Sequence, residues 1–431
     1  MIHLLNPVAS LSGVVSLPGD KSISHRYAML AAIADGTSVI AHFAASRDCH
    51  STLQSLQALG VEVCASGETV TIAGRGLRGL KAPEAMLDAG NSGTTIRLLS
   101  GILAGHPFAS SITGDESLSR RPMGRIIRPL REMGARIDSR AGELPPLHIQ
   151  GGDLEAIRYK LPVASAQVKS CVLLAGLYSK GATAVEETIP TRDHTEIALR
   201  DFGAAVRNSG NWIEVEPGPK LKARSLTVPC DLSGAAFFLV AAALVPGSDL
   251  RLPGVGLNPR RRELLNYLLR AGLDITVENE SEEAGEARGD LRVRYRADVL
   301  GGTLPPIRGN ETASLIDEIP VLAVLGSQAA GGLEISDAQE LRVKESDRLS
   351  AISMNLRAMG AEVVEKQDGL SMPGGSRLRG AEITTRNDHR IAMAFAVAAL
   401  ASSGETRIHD AECADVSFPG FWSALSRVGP A

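Results

Sequence analysis

Aromatic side chains are scarce in this chain of 431 residues: Phe, Tyr and Trp together make up 3% of it, while hydrophobic residues reach 44%. Large cores are affordable, but they must be built from Ala, Val, Leu and Ile. Paired cysteines are also lacking. Cys49, Cys64, Cys171, Cys230 and Cys413 are scattered, odd in number and form no C-x-x-C pair, which argues against a disulfide framework and offers no recognisable zinc site. Neither sign of charge dominates: 45 basic side chains face 49 acidic ones, which gives no support for a nucleic-acid-binding surface. The most apolar runs, such as Ala235 to Pro246, are too short to span a bilayer. Met1 to Pro7 has no basic segment followed by a long apolar stretch, so no signal peptide is expected and the location is read as cytoplasmic. Length alone suggests two to three domains.

What the chain does have is a repeat. Leu, two residues, an apolar residue and Gly recur at Leu56–Gly60, Leu130–Gly134, Leu199–Gly203, Leu268–Gly272, Leu356–Gly360 and Leu425–Gly429, with Gly-to-Gly steps of 74, 69, 69, 88 and 69 residues. Each reads as a helix whose last apolar turn ends on a glycine at positive φ. A short alternating run after most copies, such as Val61-Glu62-Val63, reads as a strand. A second element keeps the same period: polar or Gly-rich turns near Lys21, Asn91, Ser165, Asp231, Asp317 and Asn387 open Ala/Leu/Ile-rich helices. β-like runs follow at Gly36–Ile40, Gly181–Val185, Gly332–Ile335 and Gly404–Ile408. Six units of two helices and about four strands, grouped as two domains of three, are expected. The long step, Val277 to Arg308, reads as an extra hairpin or loop.

Six segments carry a resemblance. They are Leu17 to Arg26, Gly90 to Arg97, Asp115 to Pro122, Pro162 to Ser170, Arg342-Val343-Lys344-Glu345-Ser346-Asp347-Arg348, and Asn387-Asp388-His389-Arg390. In residues and order they resemble the 3-phosphoshikimate 1-carboxyvinyltransferases of the enolpyruvyl transferase superfamily, in the bacterial branch that carries Arg192-Asp193-His194-Thr195-Glu196. The resemblance implies an α/β fold: a two-domain inside-out α/β barrel of six βαβαββ units, three per domain, with buried parallel helices. It implies a first domain over 20–229 and a second over 1–19 and 230–431, a hinge near Gly19 and Pro229, and a site in the cleft between them.

Two phosphorylated, carboxylated substrates bring about five or six negative charges, so such a site needs cations and helix N-termini. Arginine suits both anions because its planar fork binds two oxygens at once. By resemblance, Lys21, Ser22, Arg26, Ser165, Ala166, Gln167, Arg192, Asp317 and Lys344 bind shikimate 3-phosphate. Lys21, Gly93, Arg121, Gln167, Arg348 and Arg390 bind phosphoenolpyruvate. Asp317 is the expected base at the ring hydroxyl, Glu345 the acid/base at the methylene carbon, and Lys21 an assisting proton donor. No metal, cofactor, nucleic-acid or membrane partner is implied, and a monomer is expected.

Each of these residues has a plainer reading. Lys21, Ser22 and Arg26 suit a solvated helix start, Asp317 and Glu318 an N-terminal charge pair, and Lys344 to Arg348 surface helix pairs. His389 alone reads as a hydrogen-bonded structural histidine. Recurrence at several repeat starts favours the site. There are departures from the family pattern: Val416 stands where many members carry a lysine, Glu340 where they carry an asparagine, and His194 where some carry a ring-stacking tyrosine. Arg120 or Arg128 could compensate for Val416. Gly93 is the position whose alanine form resists glyphosate in some relatives, so Gly93 is expected to leave room for that inhibitor. The rivals are a transferase acting on UDP-N-acetylglucosamine, a non-catalytic anion-binding scaffold, and a relative of RNA 3′-phosphate cyclase. The first usually has a Lys-Asn pair and a loop cysteine; here Lys21-Ser22 and a cysteine-free Thr113–Arg121 stand instead.

Overall fold

Six helices with almost no charge in their interiors organise the chain. They are Lys21–Ala32, Gly93–Ala104, Ala166–Gly176, Leu232–Leu244, Ile319–Gln328 and His389–Leu400. Leu232–Leu244 and His389–Leu400 are buried at every position, as an all-round apolar helix must be. Five of the six open on a side-chain cap. Asp20, Ser92, Ser165, Asp231 and Asp388 accept from the N–H groups of Ile23, Thr95, Val168, Ser233 and Arg390. Glu318 precedes the remaining helix without capping it; a proline in the first turn fixes the backbone there instead. The capping residues are Ser92 and Asp388 rather than the adjacent Asn91 and Asn387, and Asn387 adopts the left-handed conformation with φ +57°.

The computed structural model describes residues 1–429. The chain forms two compact units, one of Gly19–Val228 with Glu282–Glu286, the other of Met1–Pro18, Pro229–Ser281 and the residues from Ala287 onward. The described residues form six sheets, three in each unit. In the first unit each sheet has four strands, with a parallel pair at one edge and an antiparallel pair at the other. Leu87–Asp88 runs parallel to Ala109–Thr113, which pairs antiparallel with Leu144–Gln150 and through it reaches Arg136–Arg140. Parallel neighbours need a crossover, and the buried helix Gly93–Ala104 provides it. Helix Ala166–Gly176 does the same between Arg158–Lys160 and Thr183–Glu186. The two helices approach closely: a Cβ on Gly101 would lie 2.3 Å from the carbonyl oxygen of Cys171. In the second unit, Ile319–Gln328 packs against both Leu232–Leu244 and His389–Leu400.

The outer helices end as the repeat requires at Gly60, Gly134, Gly203, Gly272 and Gly360, all at φ between +85° and +102°. Gly429 differs. Its φ is −77° and the chain leaves in an extended direction. In the last sheet Thr406–Ile408 pairs antiparallel with the N-terminal strand His3–Leu5, which fills the place that a returning strand fills elsewhere. The long step between repeats holds no extra hairpin but a longer form of the one other repeats have, Asp274–Glu283 with Glu286–Arg294, followed by a short helix, Asn310–Leu315. Among the described residues no helix is long and apolar enough to cross a membrane.

Candidate active site

In the unit built on Gly19–Val228, the three buried helix starts bring polar side chains together. Lys21 opens its helix and places Nζ 2.8 Å from Oδ2 of Asp48, a nearly buried carboxylate from the next helix. Five residues on, Arg26 is buried. Its Nε donates to Thr195 Oγ1 at 2.7 Å, one terminal nitrogen to the Ser22 carbonyl at 2.8 Å, and the other to Ser170 Oγ at 2.9 Å. A guanidinium has five N–H groups, so three are fixed by protein and one remains on each terminal nitrogen, a pair suited to a carboxylate. Burial pushes Arg26 down to about 10, against the pull of Glu196 and Asp20; the charge of nearby Arg192 adds to the lowering.

Ser165 caps the helix that begins at Ala166, and the first N–H groups of such a helix have no intrahelical partner. Gln167 is held at both ends of its amide: Oε1 accepts from Arg97 at 2.7 Å and Nε2 donates to Thr94 at 3.0 Å. Gly93 begins the neighbouring helix, and a Cβ there would meet Arg97 NH1 at 2.7 Å and Arg121 NH1 at 3.7 Å. Arg121 donates to Asn91 Oδ1 at 2.9 Å and Ser117 Oγ at 3.1 Å. Gly93, Arg121 and Gln167 thus share a neighbourhood through Arg97. Arg120 and Arg128, the candidate substitutes for a lysine at Val416, are exposed and paired with Glu116 and Glu143.

Arg192 is half-buried. His194 is buried, with Nδ1 2.7 Å from Oε1 of buried Glu286. Thr195 orients Arg26, and Glu196 Oε1 lies 2.7 Å from the Nζ of fully buried Lys169. Burial raises the pKa of the Glu196 carboxyl, and Lys169 opposes that shift.

The other unit has its own cluster. Arg348 is buried and central. Its Nε lies 2.8 Å from Asp388 Oδ2, NH2 2.6 Å from Glu345 Oε2, and NH1 3.7 Å from Asp317 Oδ1. Burial alone would lower its pKa, but Asp388 and Glu345 outweigh that and hold it above the usual arginine value. Lys344 Nζ stands 3.8 Å from Asp317 Oδ1 and 3.9 Å from Glu340 Oε1. Arg390 donates to the Asp317 carbonyl at 2.8 Å and lies 3.5 Å from buried Glu318, which also faces Arg261 at 3.7 Å. Asp317, Lys344, Glu345, Arg348 and Arg390 therefore form one cluster. Val416 ends a short 3₁₀ turn, Ala411–Val416, packed on the helix His389–Leu400.

Sequence reasoning did not single out Asp48, Arg97, Thr195 or Lys169 as site residues. The last three lay inside motifs already quoted, and for Arg97 and Lys169 the signal was a charged side chain near the start of an otherwise apolar helix. Asp48 had no such signal, because an acidic residue in a helix's first turn is ordinary.

A family model for EPSP synthase (3-phosphoshikimate 1-carboxyvinyltransferase) matches residues 5–425. A 3-phosphoshikimate 1-carboxyvinyltransferase of Solibacter usitatus is 53% identical over 98% of this chain and 99% of its own length. One of Salinibacter ruber is 54% identical over 99% of both. Among solved structures, an EPSP synthase from Acinetobacter baumannii superposes with a TM-score of 0.88 at 43% identity, covering 99% of this chain and 98% of that one. The enolpyruvyl transferase NikO of Streptomyces tendae, at 18% identity and a TM-score of 0.78 over 99% and 97% of the two chains, shares the fold. The fold is the two-domain inside-out α/β architecture, and the chain belongs to the EPSP synthase family.

Proposed function

We infer that this chain transfers the enolpyruvyl group of phosphoenolpyruvate to the 5-hydroxyl of shikimate 3-phosphate, giving 5-enolpyruvylshikimate 3-phosphate and phosphate. Full-length membership of the family carries this reading; the side-chain geometry supports the roles. In the addition, the ring oxygen bonds to the middle carbon of phosphoenolpyruvate as it loses its proton, and the methylene carbon gains one. In the elimination, the methyl carbon gives up a proton while the carbon–oxygen bond to phosphate breaks. Neither step changes oxidation state, so the reading needs no redox cofactor, and it takes the enzyme to be a cytoplasmic monomer.

The Arg26 pair of unused N–H groups suits the carboxylate of shikimate 3-phosphate. Lys21, Ser22, Ser165, Ala166, Gln167, Arg192 and Lys344 complete its binding set. Arg121, Arg348 and Arg390 take the charges of phosphoenolpyruvate, with Lys21, Gln167 and close backbone approach at Gly93. Asp317 acts as base at the hydroxyl. Glu345, beside Arg348, exchanges the proton at the methylene carbon, and Lys21 assists as donor. The Asp317 carbonyl is tied to Arg390 and its carboxylate faces Lys344 and Arg348, an arrangement that holds the base in place.

Phosphate release from phosphoenolpyruvate tests the reading, with shikimate 3-phosphate, with UDP-N-acetylglucosamine and with neither. Release with shikimate 3-phosphate alone is expected, and Asp317→Asn or Glu345→Gln lowers kcat by about 10²–10⁴-fold. Release with the nucleotide sugar alone, or with neither acceptor, overturns it.

A further inference from the structure

Lys169 sits where an apolar residue would be the simpler choice. It lies in the first turn of the helix Ala166–Gly176 and its side chain has no exposed surface. A lysine with two glutamates in such a place is poor evidence of stabilisation, because desolvating the charges offsets most of their attraction. What the three charges do is geometrical. Lys169 Nζ is 2.9 Å from Glu187 Oε1 and 2.7 Å from Glu196 Oε1. Glu187 directly follows the strand Thr183–Glu186, and Glu196 is in the first turn of the helix His194–Asp201. Between them runs the segment that carries Arg192. One ammonium group thus fastens both ends of that segment to the helix whose start holds Ser165, Ala166 and Gln167.

The fastening continues inward. Glu187 Oε1 also accepts from the backbone N–H of Thr191 at 3.1 Å and from its hydroxyl, fixing the residue immediately before Arg192. On the far side, Thr195 Oγ1 is 2.6 Å from Ser170 Oγ, one residue beyond Lys169. Contacts on both flanks of Arg192 therefore lead back to Lys169 or its neighbour, beside the separate pair of His194 with Glu286.

We propose that Lys169 is a positioning residue for shikimate 3-phosphate: through Glu187 and Glu196 it sets the place of Arg192 relative to the turn Ser165–Gln167. The proposal rests on the reading that Arg192 binds that substrate. Lys169 touches no substrate itself. Its loss leaves the chemistry at Asp317 and Glu345 untouched and acts on one substrate's binding.

The test is a double-mutant cycle of wild type, Lys169→Met, Arg192→Ala and the double variant, with KM for each substrate and kcat measured at saturation of the other. Lys169→Met is expected to raise KM for shikimate 3-phosphate about tenfold or more, since a displacement of about 1 Å in a positioning element can cost that much. KM for phosphoenolpyruvate and kcat stay within about threefold of wild type. In the Arg192→Ala background the same substitution has less than about a twofold effect, because residues acting in series do not add. Additive effects would overturn the proposal while leaving Arg192 as a ligand, as would an unchanged KM in Lys169→Met. An unchanged KM in Arg192→Ala would instead overturn the reading of Arg192, and the proposal with it. Should Lys169→Met fail to accumulate, Glu196→Gln carries the same cycle: it keeps the Lys169–Glu187 pair and loosens one end of the segment. Its rise in KM must also vanish without Arg192; a rise that persists overturns the proposal.

Discussion

Replacing Asp388 by asparagine removes one charge from an enclosed ion cluster and little else. Asp388 has no side-chain exposure and its partner Arg348 has 1%. The carboxylate accepts from Nε at 2.8 Å and NH2 at 3.2 Å of Arg348, from Ser346 Oγ at 3.0 Å, and from the Arg390 N–H at 3.0 Å. Deleting one partner of a buried pair costs about 3–5 kcal/mol. Arg348 retains Glu345 at 2.6 Å, so the lower end applies, about 3 kcal/mol. Asparagine caps a helix as well as aspartate, whereas Asp388→Ala also loses the cap and falls about a further 1 kcal/mol. The pH dependence has a definite sign. Burial opposes the charge on Asp388, but Arg348 more than offsets it and holds the folded pKa below the ordinary 3.8. Such a carboxyl contributes stability that is full above its unfolded pKa and is lost as pH falls through the folded one. The gap between wild type and Asp388→Asn is therefore constant above about pH 4 and narrows below it. Urea unfolding in a Trp212→Phe background reads this out, because Trp422 is then the sole tryptophan and belongs to the same unit as Asp388. KM for phosphoenolpyruvate rises about tenfold as Arg348 loses its fixed orientation. A stability loss under about 1 kcal/mol, or a gap that persists unchanged to about pH 3, would refute the reasoning.

Two further outcomes are expected. Gly93→Ala places a methyl group 2.7 Å from Arg97 NH1. The guanidinium must move and strain its bond to Gln167, so KM for phosphoenolpyruvate rises roughly fivefold, about 1 kcal/mol. Glyphosate inhibition weakens at the same time; equal inhibition of both proteins sinks the idea. Gly272→Ala and Gly429→Ala separate backbone strain from packing. Gly272 has φ +89° and open space around its missing Cβ, so alanine costs about 1–2 kcal/mol. At Gly429, with φ −77°, the change stays within about 0.5 kcal/mol. Comparable losses in urea unfolding would contradict the assignment.

The periodic parts of the fold were legible because they follow from local chemistry. A polar cap before an Ala/Leu run specifies a buried helix, and five of the six glycines took the positive φ expected of them. Gly429 did not, and the last sheet takes its antiparallel neighbour from a strand about 400 residues earlier, a pairing that no local pattern reveals. The cationic helix starts were legible as residue types, and the family resemblance assigned their roles. Their partners were not. Asp48 reaches Lys21 from a different helix, and Lys169 meets Glu187 and Glu196 from beyond its own helix. Such pairings are set by how helices pack, and composition carries no trace of them. His194 sits where some relatives carry a ring-stacking tyrosine, yet it pairs with Glu286, a residue from the long step that was read only as an extra hairpin or loop.

The order of strand pairing has a consequence for synthesis. Ser225–Thr227 completes the sheet begun by Asp35–Ala41, so the unit around Gly19–Val228 has nearly all its parts once residue 228 leaves the ribosome. The opening strands fare differently. Ser12–Val14 must wait for Asp249–Arg251, and His3–Leu5 for Thr406–Ile408. At about 5–20 residues per second, the first strand trails unpaired for roughly 20–80 s. The chain is thus born with its earliest segment as its last to find a place, tethered to a unit that can already be folded, and a carboxy-terminal truncation before Thr406 would leave that segment permanently without its neighbour.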